Sequence, residues 1–326
     1  MLRNLFVHPV WAVPVNLRGR RIVVTGASPH SIGYATARTL ADWGATVAIT
    51  TRSGASATAD AINADLAGTT VGRVIGHDLD LCDSYSIARF VEWVAVMLEG
   101  QVDVLVNNAG IHLDLRSQWK TPRLVEDDEI HWRTNYLGTM ELTHRLVPFL
   151  CSSGRRTGDA RIVNVVSMLH ARGRNEALFA PLEPYDSWVA YGTSKLALVH
   201  ATFELDRRMR SSHVRATCLH PGAVHSRIAD KGLEGSRAIA AIRRTLAPAE
   251  AFFLMSIEEG AQTSIHCASS PTVFGGAYYR DCEIANAAPQ ALDAEVSARL
   301  WHETLNVLLE RNGWGPRAVK AAEPVT

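Results

Sequence analysis

Short runs rich in β-branched residues alternate with longer amphipathic stretches along most of this chain, and that rhythm restricts the fold more than any other feature. Strand-like runs lie at 21–25, 46–50, 71–75, 102–106, 161–166 and 214–219. Helical periodicity occupies 32–43, 55–67, 83–98, 134–150 and 187–211. A strand followed by a helix, repeated in this way, predicts an α/β fold with a doubly wound parallel sheet flanked by helices on both faces. Ligands in such sheets bind outside the carboxyl ends of the strands, so the residues just after each run are the first candidates for chemistry.

The ends of the chain read differently. Residues 5–15 are apolar but too short to cross a bilayer, carry Pro9 and Pro14, and run into Arg18 with no cleavage site for a leader. They predict an arm, 1–18, packed on one large domain, 19–311, which closes with a C-terminal helix before a flexible tail, 312–326. No transmembrane anchor is expected. The 326 residues are 47% apolar and 20% charged with a formal net charge of zero. Such a chain can bury a large core, and it lacks the basic block that nucleic acid or an anionic membrane would need. Cys82, Cys151, Cys218, Cys267 and Cys282 are scattered with no Cys-x-x-Cys spacing, which predicts reduced thiols, a cytoplasmic protein and no metal site. His112, His170 and His225 flank the expected cleft in sequence, and are expected to be satisfied core or surface histidines.

Tyr191 and Lys195 stand four residues apart in a helical stretch, which places phenol and ammonium on one helix face. With seven tyrosines and only four lysines in the chain, about 0.09 such pairs are expected by chance. A phenol that titrates near ~10 is a sluggish acid at neutral pH, and a cation held beside it favours phenolate. Lys195 is expected to be that cation.

After the first strand comes a glycine-bearing turn, 25–33, and then a helix. Gly26 and Gly33 allow a tight turn with close approach of backbone to a phosphate, and the helix amino terminus offers free N–H groups to an anion. At the end of the second strand, where NAD-selective folds carry a carboxylate for the ribose diol, the chain reads Thr50, Thr51, Arg52, Ser53. The missing acid and the guanidinium of Arg52 predict NADP(H) rather than NAD(H).

From about Arg20 to Asn306 these motifs, in order, resemble the short-chain dehydrogenases/reductases, a family of Rossmann-type enzymes. The turn 25–33 resembles the family's cofactor loop, Asp78 and Leu79 its adenine-contacting turn, and Asn107 to Gly110 its signature after the fourth strand. Asn135 matches the family's helix asparagine, Ser167 its catalytic serine, and Tyr191 with Lys195 its catalytic pair. Residues 221–226 resemble its proline-glycine turn, with Ser226 where a threonine is usual. The resemblance implies a catalytic set of Asn135, Ser167, Tyr191 and Lys195, with Asn135 holding a water that links Lys195 to solvent. It implies cofactor contacts from Gly26, Ser28, His30, Ser31, Ile32 and Gly33, from Arg52, Asp78 and Leu79, from Asn107, Ala109 and Gly110, from Tyr191 and Lys195, and from Pro221, Gly222, Val224 and Ser226. The loop departs from the family pattern: it is one residue longer, and Ser31 replaces the middle glycine.

Details at 194–198, 204–208, 220–222, 259–263 and 276–282 resemble the retinol-dehydrogenase-like group of carbonyl reductases. That resemblance implies an NADP(H)-dependent oxidoreductase interconverting a lipophilic ketone or aldehyde and its alcohol, with Tyr191 as acid and base. Segments 111–125, 168–190 and 227–258 are expected to shape the substrate site. A same-fold epimerase or dehydratase, or a non-catalytic NADP-binding module, is the alternative. Family members often pair through the helices here at 134–150 and 187–211, so a homodimer or homotetramer is expected.

Overall fold

The computed structural model describes residues 10–68, 71–224 and 255–312. Eight strands form one sheet in the order β10-β9-β8-β7-β4-β1-β2-β3. The strands are β1 (Arg21–Val24), β2 (Thr46–Thr51), β3 (Arg73–Asp78), β4 (Val104–Asn107), β7 (Ala160–Val165), β8 (Val214–His220), β9 (Ala277–Arg280) and β10 (Glu283–Ala285). All neighbouring pairs run parallel except β9 with β10. The expected doubly wound parallel sheet is thus present, with one antiparallel pair at its edge. A two-residue turn joins β9 to β10, and Asp281 and Cys282 both take positive φ, 53° and 60°. That conformation matches the right-handed twist of a hairpin, so the sheet gains an antiparallel edge.

Alternation along the strands assigns each side chain to a face. Val23, Ala48, Leu105 and Ile162 turn into one core, packed under α3 (Ser84–Met97), α4 (Gly138–Thr157), α5 (Ser187–Met209) and α7 (Ala294–Asn312). Val24, Ile49, Val106 and Val163 turn into the other, packed under α1 (Ile32–Asp42), α2 (Ala55–Asp65) and α6 (Ile257–Ser269). Because both faces are covered, the central strands read as continuous apolar runs. The arm is described from Val10. Ala12 N donates to Gln262 Oε1 on α6 at 3.0 Å, and Leu17 is buried, while Val10, Trp11 and Val13 stay exposed.

Helix caps fix where the site residues stand. Asp186 accepts from the N–H groups of Trp188 and Val189, starting α5 so that Tyr191 and Lys195 lie one and two turns inside it. Ahead of α4, residues Trp132–Leu137 form a single wide π-helical turn that holds Asn135. A small hairpin of β5 (Leu124–Val125) and β6 (Asp128–Glu129) precedes it. Helix α7 carries through Asn312, one residue into the expected tail. Ser226 and most of the expected segment 227–258 lie outside the described residues.

Candidate active site

The carboxyl ends of β1, β4 and β7 converge with the start of α5, and most of the expected residues meet there. Tyr191 is 7% exposed and Lys195 4%. Ser167, two residues past β7, stands beside the Tyr191 phenol, and its Oγ accepts from Leu169 N at 3.2 Å. Burial pushes the phenol up to about 12, with the Ser167 hydrogen bond pulling the other way. Burial brings the Lys195 ammonium down to about 8. These directions correct one expectation. Lys195 does not draw the phenol below its ordinary range here, because removal from water outweighs an ammonium that bonds elsewhere: Nζ donates to Val165 O at 3.1 Å.

Asn135 is fully buried, and its amide is engaged by the backbone and by α5. Its Oδ1 accepts from Ile111 N at 2.8 Å, and its Nδ2 donates to Ile111 O at 2.9 Å and to Ser194 Oγ at 3.1 Å. The amide therefore pins the chain just after Gly110 to α5. Gly110 is packed against this pair: a Cβ there would lie 3.1 Å from Lys195 Nζ and 3.3 Å from Asn135 Oδ1.

The glycine loop is built as closely as a phosphate cradle requires. A Cβ on Gly26 would fall 2.7 Å from Ala109 Cα, and φ there is +69°. On Gly33 it would fall 2.7 Å from Gly26 O. Ser31, in place of the middle glycine, is the N-cap of α1: its Oγ accepts from Tyr34 N at 3.1 Å and donates to Gly26 O at 3.3 Å. The extra residue is absorbed at His30, exposed and in the left-handed region at φ 60°. Ser28 and Ile32 line the same turn, half-buried. Arg52 is exposed just past β2. Asp78 Oδ1 accepts from Ala55 N at 2.8 Å, tying β3 to the start of α2, and Leu79 is buried beneath it. Gly222, at φ +87°, packs on Met255, and Val224 bridges to Met255, joining the turn after β8 to the segment before α6. Pro221 is half-buried at the same turn.

One expected contact is redirected. The Asn107 side chain faces the core, where Nδ2 donates to Thr143 Oγ1 at 2.9 Å and to Asn164 Oδ1 at 2.8 Å. The neighbouring Asn108 serves the loop instead, donating through Nδ2 to Thr25 O and Gly26 O. Strand alternation at the end of β4 was the signal that separates these two. Thr25, whose Oγ1 accepts from the N–H groups of Asn108 and Ala109, was also missed.

The histidines were the larger omission. His112 stacks on the Tyr191 ring with centroids 4.0 Å apart and planes 11° apart, and Trp188 meets its edge at 4.6 Å. His131, fully buried, accepts from Leu113 N through Nε2 at 2.9 Å and meets Glu129 through Nδ1 at 2.7 Å. No ligand spacing marks either residue. Only the place of His112, two residues past Gly110 at a strand's carboxyl end, pointed inward.

A dinucleotide fits these residues: a cradle with no room for a Cβ, a helix amino terminus facing it, an exposed guanidinium past β2 and a buried ammonium behind Gly110. Among the described residues no group of acidic, histidine and cysteine side chains is disposed to hold a metal.

A family model described as short chain dehydrogenase matches residues 20–236. Retinol dehydrogenase 12 of Bos taurus is 34% identical, over 94% of this chain and 92% of that protein. Retinol dehydrogenase 11 of Homo sapiens is 32% identical, over 94% and 91%. Among solved structures, one from Mycobacterium Paratuberculosis is similar with a TM-score of 0.66 at 28% identity, covering 92% of this chain and 97% of that one.

Proposed function

Because the chain belongs to the short chain dehydrogenase family, in its retinol-dehydrogenase-like group, we propose that it reduces a lipophilic ketone or aldehyde to the alcohol using NADPH. The observation that carries this reading is the buried Tyr191 phenol with Ser167 beside it, next to buried Lys195 and the glycine cradle. When bound, the nicotinamide would supply the hydride. Ser167 and Tyr191 present two O–H groups to one carbonyl oxygen, and both bonds strengthen as negative charge develops on that oxygen. Tyr191 then gives up its proton to the same atom. A phenol held up to about 12 is fully protonated at neutral pH, which is the form that reduction needs. Lys195, whose Nζ lies 5.9 Å from the centre of the Tyr191 ring, stabilises the phenolate left behind. Gly110, pinned through Ile111 by Asn135, leaves space in front of the ammonium.

Support for NADP(H) over NAD(H) comes from Arg52, which stands exposed where an acid would reject a 2′-phosphate. Two things support a lipophilic substrate. The described parts of 111–125 and 168–190 bring His112 against the phenol and Trp188 against His112, with the Trp119 ring 6.3 Å from that of His131, and the relatives are named for retinol. All five cysteines are free thiols, which supports a cytoplasmic location, tested by fractionating cells that express the chain. No helix among the described residues is long and apolar enough to cross a membrane.

The test follows NADPH consumption by absorbance against aliphatic, aromatic, steroid-like and retinoid carbonyls, with NADH in parallel and Tyr191→Phe as control. Turnover favouring NADPH and lost in the variant is the expected result. Tight NADPH binding with no carbonyl turned over would overturn the assignment.

A further inference from the structure

His112 is a costly residue to place where it stands. The side chain is 5% exposed, and its Nε2 is sealed from solvent with no hydrogen-bond partner among the described residues. An unsatisfied buried nitrogen is destabilising, so the site keeps an imidazole there against its own stability. What the ring does have is a face, laid parallel on the Tyr191 phenol at 4.0 Å, with Trp188 closing its edge.

The backbone on either side of His112 is held by side chains from one short segment. Asn135 grips Ile111 through both its N–H and its carbonyl, and His131 accepts from Leu113 N. The His131 bond from Leu113 requires Nε2 to be the bare nitrogen, so the proton sits on Nδ1 and is donated to Glu129 Oε1. Tyr185 donates to the same Glu129 oxygen at 3.0 Å. Two clamps thus fix residues 111 and 113, and the residue between them has no freedom to leave the phenol.

Resting on the reading of Tyr191 as proton donor, we propose that His112 is a positioning residue of the reaction. Its ring face fixes the plane of the phenol and keeps water from it, and Asn135 and His131 act on Tyr191 through His112. Among the described residues, the charged and titratable groups facing this stack are Lys195 on α5, His131 with Glu129 ahead of α4, and Asp114. Burial, and after it the Lys195 ammonium, opposes a charge on His112, while Asp114 favours one, and the balance holds the imidazole down to about 3. The plate is therefore neutral throughout the working range, and it neither supplies nor takes the proton.

The test uses His112→Ala, His112→Phe, Asn135→Ala and the double variant of Asn135→Ala with His112→Ala, in the full chain. Loss of the plate in His112→Ala should lower kcat about 10- to 100-fold through misplacement of the phenol. NADPH affinity, read by fluorescence titration, should stay within about twofold, since His112 touches no residue of the cradle. His112→Phe keeps a flat ring without the nitrogen and should recover kcat to within about threefold. The double variant should cost no more than the worse single variant, because both act on one phenol. Water reaching the phenol should also bring Tyr191 phenolate absorbance, taken as the difference from Tyr191→Phe, to lower pH in His112→Ala. That titration needs no substrate, so it stands even if no carbonyl is turned over, an outcome that would sink the reductase reading alone. Phenolate appearing at the same pH in wild type and His112→Ala, or His112→Phe as impaired as His112→Ala, would overturn the positioning role.

Discussion

Lys195 Nζ lies 5.9 Å from the centre of the Tyr191 ring and spends a hydrogen bond on Val165 O, so helix spacing brings ammonium and phenol near each other without pairing them. In this state each titrates as a buried group: the phenol is pushed up, the ammonium down. On the proposed mechanism, their roles as acid and cation become coupled when negative charge arrives in the space before Gly110.

Proton uptake on cofactor binding follows. Lys195 is held down to about 8 by burial, so above that pH the ammonium has largely lost its proton in the free protein. An anionic dinucleotide favours the charged form and raises that value, so binding at about pH 9 should draw in up to one proton. Calorimetry of NADPH binding in buffers of different ionisation enthalpy reads this directly. Lys195→Met should abolish the uptake, and equal heats in all buffers for the wild type would count against it.

Arg52 offers a second test at the other end of the cradle. A guanidinium–phosphate bond contributes about 1.5–3 kcal/mol, and a carboxylate in its place would repel the phosphate while accepting from a ribose diol. Arg52→Asp should therefore cut kcat/KM for NADPH at least about tenfold and raise it for NADH. An unchanged ratio of the two would remove Arg52 from the cofactor site.

How far the sequence carried depended on whether local signals agreed with packing. The first, second, fourth, fifth and sixth expected strands fall on β1, β2, β4, β7 and β8, because both faces are buried and β-branched runs mark them. The third was misplaced. It was expected at 71–75 and runs Arg73–Asp78, since Gly72 packs against the Ala41 carbonyl and the strand continues through Gly76, His77 and Asp78, paired in register with β2. Helix α4 was expected to stop at 150, near Pro148, yet reaches Thr157 with Gly154 packed on the backbone of Ser212 and His213. In the site, Ser167, Tyr191, Lys195 and Asn135 were legible from spacing and resemblance. His112 was not, because a stack between residues 79 positions apart leaves no local trace.

Acid should weaken the fold through its buried histidines. Burial lowers His144, His200 and His220 from the ordinary imidazole range to about 4. Between pH 4 and 6.5 the unfolded chain therefore binds more protons than the folded one, so stability falls as pH drops through that window. His200 is fully buried, with Nδ1 on Ser297 and Nε2 on Asn175, and its share is on the order of 3 kcal/mol at pH 4. Urea midpoints measured from pH 7 down to pH 4 should decline steadily, and His200→Gln should flatten that decline. A midpoint independent of pH over this range would contradict the buried, neutral assignment.

Helix α7 bears on association. Trp301 is 2% exposed, its ring 4.9 Å from His144 on α4 and under the Arg208 guanidinium of α5 at 5.0 Å. Thr304 meets Tyr136 ahead of α4, and Ser297 meets His200 on α5. The chain's own helix thus lies in the groove between α4 and α5, the two helices through which pairing was expected, and α5 is buried along nearly its whole length. A dimer built on those faces would have to displace α7 and lose its apolar burial, so sedimentation should give the mass of one chain. Trp301→Ala should cost about 3–5 kcal/mol of stability and, by loosening α7, expose the groove and promote association. A dimeric wild type whose mass is unaffected by charges placed on exposed positions of α4 and α5 would show that pairing uses another surface.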